Sequence, residues 1–279
     1  MRTLYLIRHG QPQVRETHTC GYAEDAPLSE AGRRQAGALR DWAREKSIAA
    51  VYTSPALRCV QTAHILAEER VLVYPDSGLA EMDTGAWTGL TFEEIKRCWP
   101  AEYARRGQKL GTYPPPGGES FAQAGGRMAG AVRDILAQSE GDIAVVAHGG
   151  VNRGWLCRLL GRSPNQVLAL PQPSRGGTAL CVDAGGLSVL QQGLRPCTSP
   201  AAEEITELWE KFNTPAPVRA HCKAVARKAA ELAGQLDRPA DRELLRAACL
   251  LHDLVRDWSD HAHACGELMV KEGWPVLGE

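Results

Sequence analysis

Two histidines keep similar company at distant points of the chain, in Arg8-His9-Gly10 and in Ala147-His148-Gly149-Gly150. Each follows a short apolar run that reads as a strand, residues 3–7 and 143–147. In an open α/β sheet, ligands bind beyond the carboxyl ends of the strands. An arginine and a histidine there, with Gly10 letting the backbone come close, suit a phosphate. His148 falls at a helix N-terminus, where the dipole and the free N–H groups favour an anion. Arg58 lies just inside the helix after another strand, residues 49–53, again on the carboxyl side. Alone, His148 reads equally as a helix cap and Arg58 as a solvated helix residue. Together they bring two imidazoles and two guanidiniums to one sheet edge. A neutral imidazole nitrogen is a competent nucleophile, and guanidiniums match phosphate oxygens with forked hydrogen bonds. The chemistry indicated is phosphoryl transfer, which is mostly positioning and charge stabilisation.

A second group lies near the C-terminus. His221 borders the apolar face of a helix starting at Val218, and Leu250-Leu251-His252-Asp253 ends the apolar part of the next. A His-Asp doublet with a distant His can hold a hard or borderline divalent metal. Each residue alone reads more readily as structural.

These residues need elements to position them. Residues 28–45 read as a helix with Leu28, Ala36, Leu39 and Trp42 on one side. Residues 55–68 read as a second helix and 71–74 as a strand. A Gly- and Pro-rich loop over 111–119 precedes a helix near Phe121, where Ser120 and Gln123 fit a capping box. The strand at 143–147 is apolar throughout, as a strand buried on both faces would be. A helix runs from Gly149 to Leu160, and 178–183 with 187–191 suggest a hairpin. The alternation predicts an α/β fold of three layers, a mostly parallel sheet with helices on both faces. Residues 195–200 read as a linker. Beyond it only helical periodicity is found, with Cys222, Val225, Ala226, Ala229, Leu232, Ala233 and Leu236 on one face, then helices over 241–255 and 261–271. The expected domains are 1–196 and a small all-α region, 197–279.

Composition excludes several classes. The 279 residues carry a formal net charge of −1 and no long basic run, so nucleic acid is not an expected partner. The N-terminal apolar run is shorter than the roughly 7–15-residue core of a signal peptide, and no stretch approaches the ~20 apolar residues of a membrane span. The 9 cysteines are odd in number with no C-x-x-C pair, against both a disulfide framework and a thiolate zinc site. A cytoplasmic protein with reduced thiols is expected, some of them (Cys181, Cys222, Cys249) in the core. A homodimer is left open.

The first two-thirds of the chain, residues 1–193, resembles the histidine phosphatase (phosphoglycerate mutase-like) superfamily. Leu6-Ile7-Arg8-His9-Gly10 is similar to its signature strand and loop. Asp25-Ala26-Pro27-Leu28-Ser29 with Gly32, Gln35 and Ala36 is similar to the segment that follows. Ser54, Arg58, Thr62 and Ala63 match its helix start, and Leu79, Glu81, Gly85, Trp87 and Gly89 a later loop. Pro115-Pro116-Gly117-Gly118-Glu119-Ser120 and Val146-Ala147-His148-Gly149-Gly150 complete the order. The resemblance implies a phosphohistidine on His9, a phosphate pocket from Arg8, Arg58 and His148, and Glu81 as proton donor and acceptor. It also implies substrate contacts from Gln11, Cys20, Gly21 and Gly149, and no metal for this half.

Mutases of the family carry Glu-Ser-x-Trp-Asn after the Arg-His-Gly, where this chain has Gln11-Pro12-Gln13-Val14-Arg15. The segment from Glu81 to His148 is also short for a mutase. The expected function is therefore a phosphomonoesterase acting on a small phosphorylated metabolite. The alternatives are a phosphoglycerate-type mutase or a non-catalytic phospho-ligand sensor. The stretch from His148 to Arg153 and the Pro115–Ser120 loop are most similar to the α-ribazole phosphatase branch. The C-terminal region, with Ala248-Cys249-Leu250-Leu251-His252-Asp253 and Asp260-His261-Ala262-His263, resembles an HD-domain phosphohydrolase. That implies a divalent metal on His221, His252 and Asp253. The family's last aspartate ligand comes from a helix well beyond the doublet, so the metal site is expected to be incomplete here.

Overall fold

The computed structural model describes every residue except 14–19, 22–24, 171, 173–175, 195–198, 201, 236–241 and 273–279. Val14, Arg15 and most of the expected linker fall outside the described residues. The chain divides into two compact units, Met1–Pro196 and Cys197–Glu279.

Unit 1 is a six-stranded sheet in the order β3-β2-β4-β1-β5-β6. The strands are β1 (Arg2–Arg8), β2 (Ile48–Thr53), β3 (Leu72–Pro75), β4 (Asp142–Ala147), β5 (Gly177–Asp183) and β6 (Gly186–Leu194). The first four are parallel, while β5 runs antiparallel to β1 and closes with β6 as a hairpin. Alternation along the strands divides the core. Leu4, Leu6, Ile143 and Val145 face one layer, packed by α5 (Phe121–Gln138) and α6 (Gly149–Leu159). Tyr5, Ile7, Ala144 and Val146 face the other, packed by α1 (Glu30–Ala43) and α2 (Leu57–Ala67). Burying each large aliphatic side chain contributes about 1.5–3 kcal/mol. The capping box at Ser120 forms as predicted, with Ser120 Oγ accepting from Gln123 N.

The central pair places the site. β1 and β4 run in register, Arg8 beside Ala147, so the residues following them emerge side by side. The His9 N–H donates to the Ala147 carbonyl at 3.0 Å. Ser54, after β2, donates its N–H to Val146 O at 2.9 Å and puts the start of α2 at the same edge.

The structure adds two helices where the sequence pattern assigns no element, α3 (Phe92–Cys98) and α4 (Pro100–Gln108). Thr91 and Glu94 form a capping box at the first, and Pro100 opens the second. Both are too short for a periodic apolar stripe to stand out, and α4 buries no residue.

Unit 2 holds α7 (Ala202–Lys211), α8 (Ala216–Ala233), α9 (Arg242–Leu251) and α10 (His261–Lys271). Its core gathers Ile205, Trp209, Cys222, Leu250, Leu254 and Met269. The helix expected to reach residue 255 ends at Leu251, and a run of turns carries His252 and Asp253. The expected apolar face of α8 is only partly used. Cys222 and Ala233 are buried, while Leu232 is 53% exposed.

Candidate active site

His9 is held by its own loop. Its Nδ1 lies 2.6 Å from the Gly10 carbonyl, which can only accept, so Nδ1 carries the proton. In the neutral ring Nε2 then keeps its lone pair, the arrangement a nucleophile needs. Burial, then His148 and Arg8, push the His9 pKa well below the ordinary imidazole value, with the Gly10 carbonyl opposing. The Gly10 N–H donates to Thr62 Oγ1 at 3.1 Å, and that hydroxyl donates to Arg58 O. A Cβ on Gly10 would meet Gly32 O at 2.5 Å, so a side chain has no room there.

His148 lies edge-on to His9, ring centroids 5.1 Å apart. Arg58 Nη2 is 3.2 Å from His148 Nδ1 and, having no lone pair, must donate. Neutral His148 then carries its proton on Nε2, 2.8 Å from Ser54 Oγ. Burial first, then Arg58 and Arg8, lower the His148 pKa well below 6.5. Arg58 is itself buried, paired at 3.5 Å with Asp25, whose carboxylate also accepts from Leu57 N at the start of α2. Arg8 Nη1 donates to Gln172 O, and its buried Nε has no hydrogen-bond partner among the described residues. An unsatisfied buried guanidinium N–H costs free energy, and an incoming phosphate would remove that cost.

Two neutral imidazoles make stability depend on pH. Below the ordinary imidazole value of 6.5, the unfolded chain binds protons that the fold refuses. This contribution is full above that value and is lost as pH falls. The Tm is expected to drop between about pH 7.5 and 5.5, and less steeply in His9→Gln. Identical slopes in the two proteins would contradict it.

Glu81 supplies an anion at the helix start that the sequence marks as favouring one. The N–H groups opening α6 were expected to receive an anion, and two of them bind this carboxylate: Gly150 N at 3.0 Å and Val151 N at 2.7 Å. A Cβ on Gly150 would meet Glu81 Oε1 at 2.6 Å, which accounts for the second glycine after His148. The loop carrying Glu81 is clamped by Arg127, which donates to Gly78 O, to Ala80 O and to both oxygens of Glu119. That pairing holds the Glu119 carboxyl below its usual range.

Thus His9, His148 and Arg58 cluster directly, Arg8 lies against Gly149, and Glu81 joins at the start of α6. The other expected substrate contacts are held by neighbouring segments. Gln11 is exposed, with its N–H on Gln35 Oε1. Cys20 and Gly21 are tied to the loop after Glu81: Cys20 exchanges backbone bonds with Leu90 and Gly89, and a Cβ on Gly21 would meet Thr84 Oγ1 at 2.6 Å. The sequence reading did not single out Arg153 as a site residue. Its Nη1 lies 3.4 Å from where a Cβ on Gly149 would be, its Nε donates to Leu170 O, and burial and Arg8 lower its pKa. Its position about one turn after Gly149 was the available signal. Arg106, beside Cys20, was also missed because its helix was.

In unit 2, His221, His252 and Asp253 present ligand atoms that all lie within 4.8 Å of one another. His252 Nδ1 donates to Cys249 O at 2.9 Å, so Nε2 faces Asp253 Oδ2 at 3.5 Å with its lone pair. His261, not among the expected ligands, lies 3.5 Å from Asp253 Oδ1. Imidazoles with a carboxylate suit a borderline divalent ion. Arg256 occupies Asp253 Oδ2 at 2.7 Å, so an ion there must share or displace it.

Comparison with known proteins finds matches in both units. Residues 218–272 match the HD domain model. The bifunctional protein Rv2228c of Mycobacterium tuberculosis is 39% identical over 148 residues, 52% of this chain and 40% of that protein. The chain spans less than half the length of the curated relatives it matches. Among solved structures, Bacillus stearothermophilus YhfR superposes with a TM-score of 0.63 at 30% identity, covering 68% of this chain and 96% of its own. Mycobacterial glucosyl-3-phosphoglycerate phosphatase gives 0.60 at 26%, covering 68% and 98%. No helix among the described residues is long and apolar enough to cross a membrane. Residues 4–194 match the model of the histidine phosphatase superfamily (branch 1), and the chain belongs to that superfamily.

Proposed function

We propose that the chain hydrolyses phosphomonoesters of a small metabolite through a covalent phosphohistidine on His9. The observation that carries this reading is the Nδ1–Gly10 bond, which leaves Nε2 of a neutral imidazole as the nucleophile. Arg8 and Arg58 would hold the transferring phosphoryl, and Glu81 would protonate the leaving oxygen and later take a proton from water. Gln11-Pro12-Gln13 in place of the mutase sequence, and a phosphatase among the structural relatives, favour hydrolysis over isomerisation. Within that class, α-ribazole 5′-phosphate is the substrate suggested by the stretch from His148 to Arg153. A screen of phosphorylated metabolites should release inorganic phosphate without a bisphosphate primer. Primer-dependent isomer formation would establish a mutase instead, and binding without turnover a sensor.

For unit 2, His221, His252 and Asp253, with His261 alongside, would hold a divalent ion, which would supply Lewis acidity there. Three donors with Arg256 in competition favour weak binding. Metal analysis should find substoichiometric metal, and EDTA should leave phosphomonoester hydrolysis unchanged. Loss of that hydrolysis in EDTA would sink the division of labour.

A further inference from the structure

We propose that unit 2 carries a binding site for a small molecule bearing several phosphate groups, in a cleft formed by α7, α8 and α9. The cavity there holds about 550 Å³, within the range of small-molecule sites. Its floor is apolar, with Ile205, Trp209 and Leu250 buried. Four cations line it, Lys223 and Arg227 from α8, Arg242 and Arg246 from α9, and no carboxylate does among the described residues. Arg246 also keeps an intramolecular contact, and Lys223 Nζ stands 5.4 Å from the centre of the Trp209 ring.

The spacing makes this more than a solvated surface. Each helix supplies its pair at i and i+4, an arrangement in which like charges repel and weaken the helix. Four cations around one cleft bring positive potential to it, and an anion would relieve the repulsion within the Lys223/Arg227 pair. Each pair spans roughly 6 Å along its helix, a length that a chain of phosphates covers better than a single orthophosphate. Guanidiniums are the side chains suited to such oxygens.

The cleft is distinct from the His-Asp cluster. Lys223, Arg227 and Ala230 follow His221 by two, six and nine residues, which at roughly 3.6 residues per turn puts them on the far side of α8.

The test is isothermal titration of the whole chain with inorganic triphosphate. The chain is first freed of metal by treatment with a chelating resin, which is then removed, and orthovanadate is added to fill the phosphatase pocket. One site is expected, binding triphosphate at least about tenfold more tightly than inorganic phosphate. The Arg227→Glu/Arg242→Glu variant should lose at least about tenfold in affinity and hydrolyse phosphomonoesters at the wild-type rate. Should that variant fail to fold by circular dichroism, Lys223→Gln/Arg227→Gln is expected to lose affinity in the same direction. Wild-type affinity in a folded variant, no binding of triphosphate, or equal affinity for inorganic phosphate would each overturn the proposal.

Discussion

Replacing His9 with alanine is expected to reduce phosphomonoester hydrolysis on the order of 10⁴-fold or more, the scale seen when a covalent nucleophile is removed. The size follows from the lack of a substitute. His148 is the neighbouring imidazole, but it accepts from Arg58 on Nδ1 and faces Ser54 with Nε2. Cys59 lies 3.4 Å from His148 Nε2, but burial pushes its thiol pKa up and keeps it protonated. A quenched reaction with labelled substrate should trap a phosphoenzyme in wild type that is acid-labile and stable to base. The same label should be absent from His9→Ala. The variant should stay folded, because a smaller side chain meets no new atoms. Turnover within tenfold of wild type would remove His9 from the nucleophilic role.

Glu81→Gln is expected to lower kcat by roughly 10²–10⁴-fold, the usual worth of general acid–base catalysis, with little change in KM. The carboxylate accepts from Gly150 and Val151, and a Gln carbonyl oxygen can keep one of those bonds, so the loop stays in place. What Gln cannot do is deliver a proton and take one back. Substrates with a good leaving group, such as aryl phosphates, should suffer less in the phosphorylation step, because they need less protonation. An equal loss for aryl and alkyl phosphates in single-turnover phosphorylation would point to a positioning role instead.

Much of this architecture was legible because it depends on local chain chemistry. The run from Thr3 to Ile7 is apolar and ends in Arg8-His9-Gly10, so both the strand and the reactive turn could be read together. The segment from residue 143 to Gly150 was legible for the same reason. The helices from Phe92 to Gln108 were not, since each is short and lies on the surface. In unit 2 the expected stripe on α8 overstated burial, because periodicity reports which residues share a face and not whether anything covers it. Leu232 shares the face of Cys222 and remains exposed.

The sequence by itself pointed to the groups that could do chemistry: His9, Arg8, Arg58 and His148 through their types and their places on the carboxyl side of strands, and Glu81 through the family resemblance. Only the tertiary structure decided how they divide the work. Parallel pairing of β1 and β4 sets the two imidazoles 5.1 Å apart, and the Gly10 carbonyl chooses the His9 tautomer. The start of α6, read from sequence as an anion site, went to Glu81 because the Arg127–Glu119 clamp brings a distant loop against Gly150. Such choices depend on contacts between segments about seventy residues apart, and side-chain type and local spacing hold no information about which segment arrives.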